Sequence, residues 1–285
     1  MPHPMPHPTP LARRMYDLTE PISLVNFFSP EPNEAMAELG LRGYWDGYFA
    51  GRAAPLGRAP AAVVHAAFYN FADGEVARHI PRVWDITTPE AAHAARQRGC
   101  EAALRHILGD LAETPGLVRA ADLLTVAAAG APTEGRVMYA ALRALPVPEE
   151  PVARLWHAAN TLREHRGDGH IAALLSDGIG GTECHVLGAL DAGVHPAESF
   201  GRIHHLPPAR LAQVMDGLRD RGLLDAAGRF TDAGRATKDR IEALTDALAE
   251  PPYECLTTSE VEELLAALEP LSARLRETGS SSEAV

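Results

Sequence analysis

Lysine is nearly absent from this sequence. Lys238 is the single lysine among 26 basic residues, and 38 acidic residues give the chain of 285 a formal net charge of −12. Nonspecific binding to nucleic acid depends on clustered Lys and Arg that neutralise phosphates. The charge balance therefore argues against DNA as a partner.

Cysteine is scarce and long apolar runs are missing. Cys100, Cys184 and Cys255 contain no C-x-x-C pair, which disfavours a structural zinc site and a disulfide framework. No apolar run approaches the roughly 18 residues of a transmembrane helix, so a membrane is not expected as a partner. Residues 1–10 have no basic segment followed by an apolar one, and we predict a disordered, Pro-rich leader on a cytoplasmic protein.

Several enzyme motifs are also lacking. The sequence has no phosphate-cradling glycine loop, no dinucleotide fingerprint, no G-x-S-x-G nucleophile elbow and no H-E-x-x-H pair. We therefore predict no organic cofactor. Any chemistry would be carried by side chains alone.

Apolar residues at helical spacing are abundant, and their order repeats. LARRMYDLTEP at residue 11 resembles VARLWHAANTL at residue 152, and in each half a short extended stretch later opens a long helix at a threonine. We interpret the halves as two degenerate copies of one module. The predicted modules span residues 11–148 and 149–276, and residues 277–285 are predicted to be a disordered tail.

The second copy shows the module most clearly. A helix is predicted over Leu206–Leu224, followed by a short hairpin with Gly228 in its turn and by a long helix, which is the winged helix-turn-helix order. From residue 152 to 276 the chain resembles the MarR family in its recognition helix, wing and T-D-A-G-R wing exit. The strings GYWDGYFAGRAAPLG, FYNFA and LWHAANTLREHRGDGHIAALL resemble an actinobacterial group of helix-turn-helix proteins.

The MarR resemblance implies a fold and two kinds of partner. MarR proteins are homodimers that place winged helices on DNA half-sites and bind a small molecule near the dimerisation helices. Two copies in one chain would imitate that dimer. We therefore predict a mainly α fold with small β wings, in which two degenerate MarR-like modules form an intrachain pseudo-dimer.

The two predicted recognition helices differ in what they offer to base edges. The second, Pro207–Leu218, carries three polar residues and has three arginines nearby: Arg210, Gln213, Asp216, Arg219, Arg221 and Arg229. The first, Ala59–Phe71, has an apolar background and is predicted to be buried. DNA binding is therefore predicted to be largely lost.

A polar cluster interrupts the apolar spacing of the central helix between Arg163 and His170. One interpretation is a turn in which Gly167 ends a helix and Asp168 caps the next. The other is a site in which histidine exchanges protons near neutrality and arginine binds a carboxylate, enolate or phenolate. We favour the site, with His165, Asp168 and His170 as catalytic residues and Arg163, Arg166, His157 and Glu164 as substrate-binding residues.

Aromatic clusters in the first half are candidates for a pocket wall, with core packing as the alternative. Trp45, Tyr48, Tyr69 and Asn70 are the predicted substrate-binding residues there. We also considered a metal ion bound by donors of the central cluster, with His185, His204 and His205 nearby, but its signal is weaker and we assign no metal ligand.

The predicted function is acid/base catalysis without a cofactor, in specialised metabolism. The enzyme would be an isomerase, lyase, cyclase or hydrolase acting on a small aromatic or carboxylated molecule in a cavity between the modules, as a monomer or homodimer. One alternative is a MarR-like ligand-responsive transcriptional regulator. Another is a protein that sequesters a ligand, as in resistance, without turnover.

Overall fold

The computed structural model describes residues 9–193 and 206–282, with side chains to residue 278. These residues are mainly helical, which agrees with the predicted class. The helices are α1 Leu11–Phe28, α2 Pro30–Glu38, α3 Tyr44–Ala53, α4 Ala61–Phe68, α5 Pro89–Leu108, α6 Pro115–Gly130, α7 Val137–Arg143, α8 Pro151–Ser176, α9 Gly181–Asp191, α10 Pro208–Asp220, α11 Asp232–Leu248 and α12 Thr258–Ser282.

The helices belong to two compact units, and each unit draws on both halves of the chain. The first unit comprises Met1–Ala35, Ala95–Arg166 and Asp246–Val285, and the second comprises Met36–Ala94 and Gly167–Thr245. These units do not coincide with the two predicted modules, because helices from both halves share a core within each unit. The repeat relationship and the pseudo-dimer remain predictions.

In the first unit, α1 packs on α12 and α12 packs on α6. The buried residues of α1 recur every three or four positions, as expected for one face of a helix. Met15 and Ile22 on that face are fully buried with Leu124, Trp156 and Leu268. Burying each such side chain stabilises the unit by roughly 1.5–3 kcal/mol, so the first unit has a conventional apolar core.

Pro21 lies inside α1, at a position where a proline is expected to limit or kink a helix. A proline cannot donate to the carbonyl four residues earlier. That carbonyl, of Asp17, instead accepts a hydrogen bond from the guanidinium of Arg276 in α12. A distant residue thus satisfies the group that Pro21 leaves open, and the helix continues to Phe28.

Other predicted boundaries also move. The sequence alone predicts one helix from Glu34 to Gly51, and the structure has two, α2 and α3, because Gly40 and Gly43 between them have φ values of +88° and +80°. The tail expected from residue 277 is helical to Ser282. The leader prediction for residues 1–8 lies outside the described residues.

The second unit contains the predicted helix-turn-helix of the second half. Helices α9, α10 and α11 bury Leu187, Leu218 and Ile241 in one apolar cluster. The predicted β hairpin is reduced to a single antiparallel bridge between Leu224 and Phe230. The α10 and long α11 predictions are therefore matched by helices, whereas a β wing is not formed beyond this one bridge.

Helix α8 is unbroken from Pro151 to Ser176, so the turn interpretation of its polar segment is wrong. Gly167 and Gly169 lie within the helix, where each costs about 1 kcal/mol relative to alanine. Nearly every residue from Val152 to Arg166 is buried. Packing on all sides therefore stabilises the helix by more than the two glycines destabilise it. No helix within the described ranges is long and apolar enough to cross a membrane.

Candidate functional site

The polar residues of α8 are mostly buried. Those that are less than one tenth exposed are His157, Asn160, Thr161, Glu164, His165, Arg166 and Asp168. Residues up to Arg166 belong to the first unit and those from Gly167 to the second. The predicted catalytic residues are therefore divided between the units, and each group is described with its own unit.

The two arginines predicted to bind a substrate already face carboxylates of the protein. Arg163 Nε lies 3.1 and 3.2 Å from the two carboxylate oxygens of Glu20 in α1. Arg166 Nη1 lies 2.7 Å from Asp246 Oδ1, which also pairs with Arg13 at 3.0 Å. A substrate carboxylate would have to compete with both pairs.

His165 is 1% exposed, and its ring meets the ring of Tyr139 edge-on at 4.8 Å. Its Nε2 makes no hydrogen bond with any residue that the structure describes. Burial and the nearby Arg136 lower the pKa of His165 to about 3. The imidazole is neutral at physiological pH, so it can accept a hydrogen bond but is poorly suited to general acid catalysis.

A small pocket of the first unit lies beside His165. Its cavity volume is about 10 Å³, which is room for about one water molecule. It is lined by Ala12, Tyr16, Thr19, Leu162, Arg163, His165, Arg166, Ala249, Pro252 and Tyr253. The Arg166 guanidinium lies 4.6 Å over the Tyr16 ring. Burial raises the pKa of Tyr16, so its hydroxyl keeps its proton. The pocket thus offers aromatic surface and polar groups.

Two further predicted residues of the first unit are buried near this region of α8. Burial lowers the pKa of His157 to about 4, so this imidazole is also neutral. Glu164 is 3% exposed and lies 3.6 Å from Arg163 Nη1. Both side chains belong to the packed interior of the helix and do not line the pocket described above.

In the second unit, His170 contacts two residues that the sequence did not bring into the site. His170 Nδ1 lies 2.9 Å from Thr245 Oγ1, and its Nε2 lies 3.9 Å from Cys184 Sγ. Asp168 is 7% exposed. Because a helix turns by about 100° per residue, His165 and His170 point about 140° apart on α8 and do not converge on one reacting atom.

Cys184 and Thr245 carried no sequence signal of a site. They lie 14 and 75 residues from His170, and their contacts depend on how α9 and α11 pack against α8. From its spacing in the sequence, Cys184 could be considered only as a zinc ligand or a disulfide partner, and neither role placed it near His170.

The aromatic residues of the second unit favour the core-packing alternative. Trp45 and Tyr48 join Phe49, Phe68 and Phe71 in one cluster of ring contacts between 4.9 and 6.5 Å. Phe49 at its centre is fully buried. This cluster holds α3 against α4.

Tyr69 and Asn70 follow α4 directly. The Tyr69 hydroxyl donates to the carbonyl of Ile179 at 2.5 Å. The backbone N–H of Asn70 donates to the backbone carbonyl of Phe68 at 2.8 Å. Burial raises the pKa of Tyr69. These two hydrogen bonds stabilise the position of the C-terminal end of α4 within the second unit.

Helix α10 presents a polar face to solvent. Arg210, Gln213 and Asp216 are exposed, and Arg210 Nη1 donates to Gln213 Oε1 at 3.2 Å. The other basic residues around it pair with acids: Arg219 with Asp216 at 2.7 Å, Arg221 with Glu183 at 3.0 Å and Arg229 with Asp225 at 3.1 Å. Arg210 and Gln213 therefore form the polar pair best placed to meet a base edge.

Helix α4 differs from its prediction. It was expected to be buried, but Ala62, Val63 and Ala66 are exposed, while Val64 and Phe68 bury the opposite stripe. A short apolar helix can remain half-exposed when its outer residues are small. These three exposed residues carry no side-chain hydrogen-bonding group, and the partly exposed His65 beside them lies 3.7 Å from Asp73.

The described side chains contain no group of three His, Cys, Asp or Glu residues arranged to hold a metal ion. His204 and His205, which were weighed as metal donors, lie outside the described residues.

Comparison with known proteins gives one match. A family model described as "Helix-turn-helix family" matches residues 12–282. No curated protein and no solved structure matches the chain. The match extends over both halves of the chain together.

Proposed function

The chain belongs to the helix-turn-helix family, and we propose that it is a ligand-responsive transcriptional regulator that contacts DNA through α10. The observation that carries this proposal is the exposed pair Arg210 and Gln213 on that helix. Arginine bonds the guanine edge and glutamine the adenine edge in the major groove. The N-terminal residues of a recognition helix are the ones that reach these edges, and Arg210 lies in the first turn of α10.

Each chain would read one half-site. The outer residues of α4, Ala62, Val63 and Ala66, supply no donor or acceptor to a groove. A two-fold symmetric operator would therefore require a second copy of the chain. We also propose that the two modules are MarR-like.

A small-molecule effector would have to widen the pocket beside His165, which has room for about one water molecule, and the side chains there indicate its chemistry. Tyr16 supplies an aromatic face with a protonated hydroxyl, and neutral His165 offers a buried acceptor. A small aromatic molecule with a hydroxyl group suits these partners better than a carboxylate, because Glu20 and Asp246 already face the two arginines.

This proposal takes the place of the acid/base enzyme first predicted from α8. The pKa of about 3 for His165 opposes proton exchange at neutral pH. A protein that only sequesters its ligand would share the pocket but would not need the exposed pair on α10.

The proposal is tested by selecting DNA from a random pool with the full chain and measuring affinity for the selected site by fluorescence anisotropy at fixed low salt. Arg210→Ala and Gln213→Ala should each lower affinity for that site by about 5- to 150-fold, since a base contact contributes about 1–3 kcal/mol. Arg119→Ala on α6, an exposed arginine paired with Glu263, is the matched control and should bind normally. Failure to enrich any sequence, or equal binding by the α10 variants, would exclude this function.

A further inference from the structure

A cysteine, a histidine and a threonine meet in the second unit, outside the proposed DNA contact and the pocket beside His165. Cys184 lies on α9, His170 on α8 and Thr245 on α11. His170 Nε2 is 3.9 Å from Cys184 Sγ, and Nδ1 on the other side of the ring is 2.9 Å from Thr245 Oγ1. The ring thus lies between a thiol and a hydroxyl.

The hydrogen bonds fix the tautomer of His170. The Thr245 hydroxyl donates its single hydrogen to the carbonyl of Ile241 at 2.7 Å. Toward His170 it can therefore only accept, so Nδ1 of the neutral ring carries the hydrogen. Nε2 then has a lone pair directed to Cys184 and can take the proton of the thiol. A thiol, a base and a group that orients the base are the arrangement of an activated nucleophile.

The surroundings of Cys184 keep its thiol protonated at rest. Burial raises its pKa to about 11, with Lys238 lowering it and Glu242 raising it. These two residues pair with each other on the face of α11 that also carries Thr245. Such a thiol forms little thiolate alone, so its reactivity depends on a base at the moment of reaction.

We propose that Cys184 is a nucleophile assisted by His170 and that it adds to α,β-unsaturated carbonyl compounds. Sγ forms a bond to the β-carbon while its proton passes to His170 Nε2, and the π electrons of the double bond move to give an enolate. His170 then returns the proton to the α-carbon. The product is a thioether, and the addition needs no oxidant, water or leaving group.

This class of electrophile follows from the site. The groups present are a nucleophile and a base, which suffice for an addition. Cys184 is intermediate in exposure as a residue, but its thiol is largely buried, so only a small, flat electrophile is expected to reach Sγ. The other two cysteines provide contrasts, because Cys100 is fully buried and Cys255 is exposed.

The test treats the full chain with 2-cyclohexen-1-one and follows each cysteine by peptide mass spectrometry between pH 6.5 and 9. At pH 7 a thiol with a pKa of about 11 should react about 25-fold more slowly than free cysteine, allowing for its greater intrinsic nucleophilicity. Assistance by His170 should bring wild-type Cys184 to within about threefold of free cysteine. Between pH 7 and 9 its rate should rise much less than the hundredfold expected of thiolate alone, because the assisted path dominates near pH 7 and the thiolate path becomes comparable only above about pH 8.

His170→Gln keeps a polar side chain but cannot take the proton, so it should slow Cys184 labelling at least tenfold at pH 7. The rate in this variant should rise about tenfold per pH unit, as thiolate alone reacts. Thr245→Val, which removes the acceptor that orients the ring, should also slow labelling and provides a second route if His170→Gln is misfolded. Unlabelled Cys100 shows that the first unit remains folded, and Cys255 reports the reactivity of the reagent.

Labelling of Cys184 at the wild-type rate or faster in both folded variants would overturn the proposal. That result is expected if the thiol is only buried, because a smaller neighbouring side chain would expose it more to the reagent. This result would leave the DNA-binding proposal untouched, since none of the three residues is on the exposed face of α10.

Discussion

Burial decides the protonation of two histidines on α8. His157 and His165 are 4% and 1% exposed, and burial lowers their pKa values to about 4 and about 3. The sequence draws attention to this helix because histidine, arginine and acids are unusual between apolar runs. It cannot tell that the imidazoles are desolvated, since desolvation depends on Tyr139 and other residues far along the chain.

These histidines should make the protein less stable in mild acid. In the unfolded chain their pKa is about 6.5. Below that pH the unfolded chain binds protons that the folded chain does not, so stability falls with pH until about 4 for His157 and about 3 for His165. Each should contribute a loss on the order of 2 kcal/mol between pH 7 and pH 5.

Urea denaturation at the two pH values measures this loss. His165→Gln and His157→Gln should each reduce the difference in unfolding free energy between pH 7 and pH 5. His106→Gln, at a side chain that is 78% exposed, serves as the control and should leave the difference unchanged. An unchanged difference in the two buried variants would show that other groups cause the acid sensitivity.

At the scale of elements, α9 begins in tight contact with the end of α4. A Cβ atom at Gly181 would lie 1.9 Å from the backbone oxygen of Tyr69, whereas one at Gly188 on the same helix meets nothing within 4 Å. Two glycines on one helix thus have opposite roles. Gly181 permits a close approach of backbones, and Gly188 only weakens its helix.

Substitution by alanine should separate these roles. Gly188→Ala should stabilise the protein by about 0.5–1 kcal/mol, because alanine has the higher helix propensity. Gly181→Ala should destabilise the second unit by more than that gain, because backbone atoms must move. Thermal unfolding by calorimetry provides the comparison, and equal effects from the two substitutions would contradict the contact.

Local signals predicted some elements well and others poorly. Thr88 caps α5 as expected, and Thr231 caps α11 through the amide of Gly234. The effect of Pro21 could not be predicted locally, because the Asp17 carbonyl that it leaves without a donor is bonded by Arg276, 259 residues away in the chain. The contact of His170 with Cys184 was equally inaccessible, since nothing local brings α9 against α8.

At the scale of the whole molecule, the excess of acidic residues means that arginines near α10 face carboxylates of the same chain. Arg219, Arg221 and Arg229 each pair with an acid. Arg235 pairs with Asp191 in the same way. The acidic composition therefore limits how strongly α10 can attract phosphates, even where its shape suits a groove.

DNA binding should consequently depend only weakly on salt. If Arg219 and Arg229 each reach one phosphate while Arg210 contacts a base, the plot of log affinity against log salt should have a slope of about −2 per chain. Anisotropy titrations between 50 and 200 mM salt measure it. A slope near −8 would require basic groups outside this face and would contradict α10 as the main contact.

The interleaving of the two units has a consequence for biosynthesis. The second unit has all its segments once residue 245 has been translated, but the first needs Asp246 onward to join stretches made earlier. At about 5–20 residues per second, the 40 residues 246–285 take roughly 2–8 s. During that interval the nascent chain carries α1 and α6 without α12, which packs on both, and their uncovered apolar faces are the surface that a ribosome-associated chaperone would recognise.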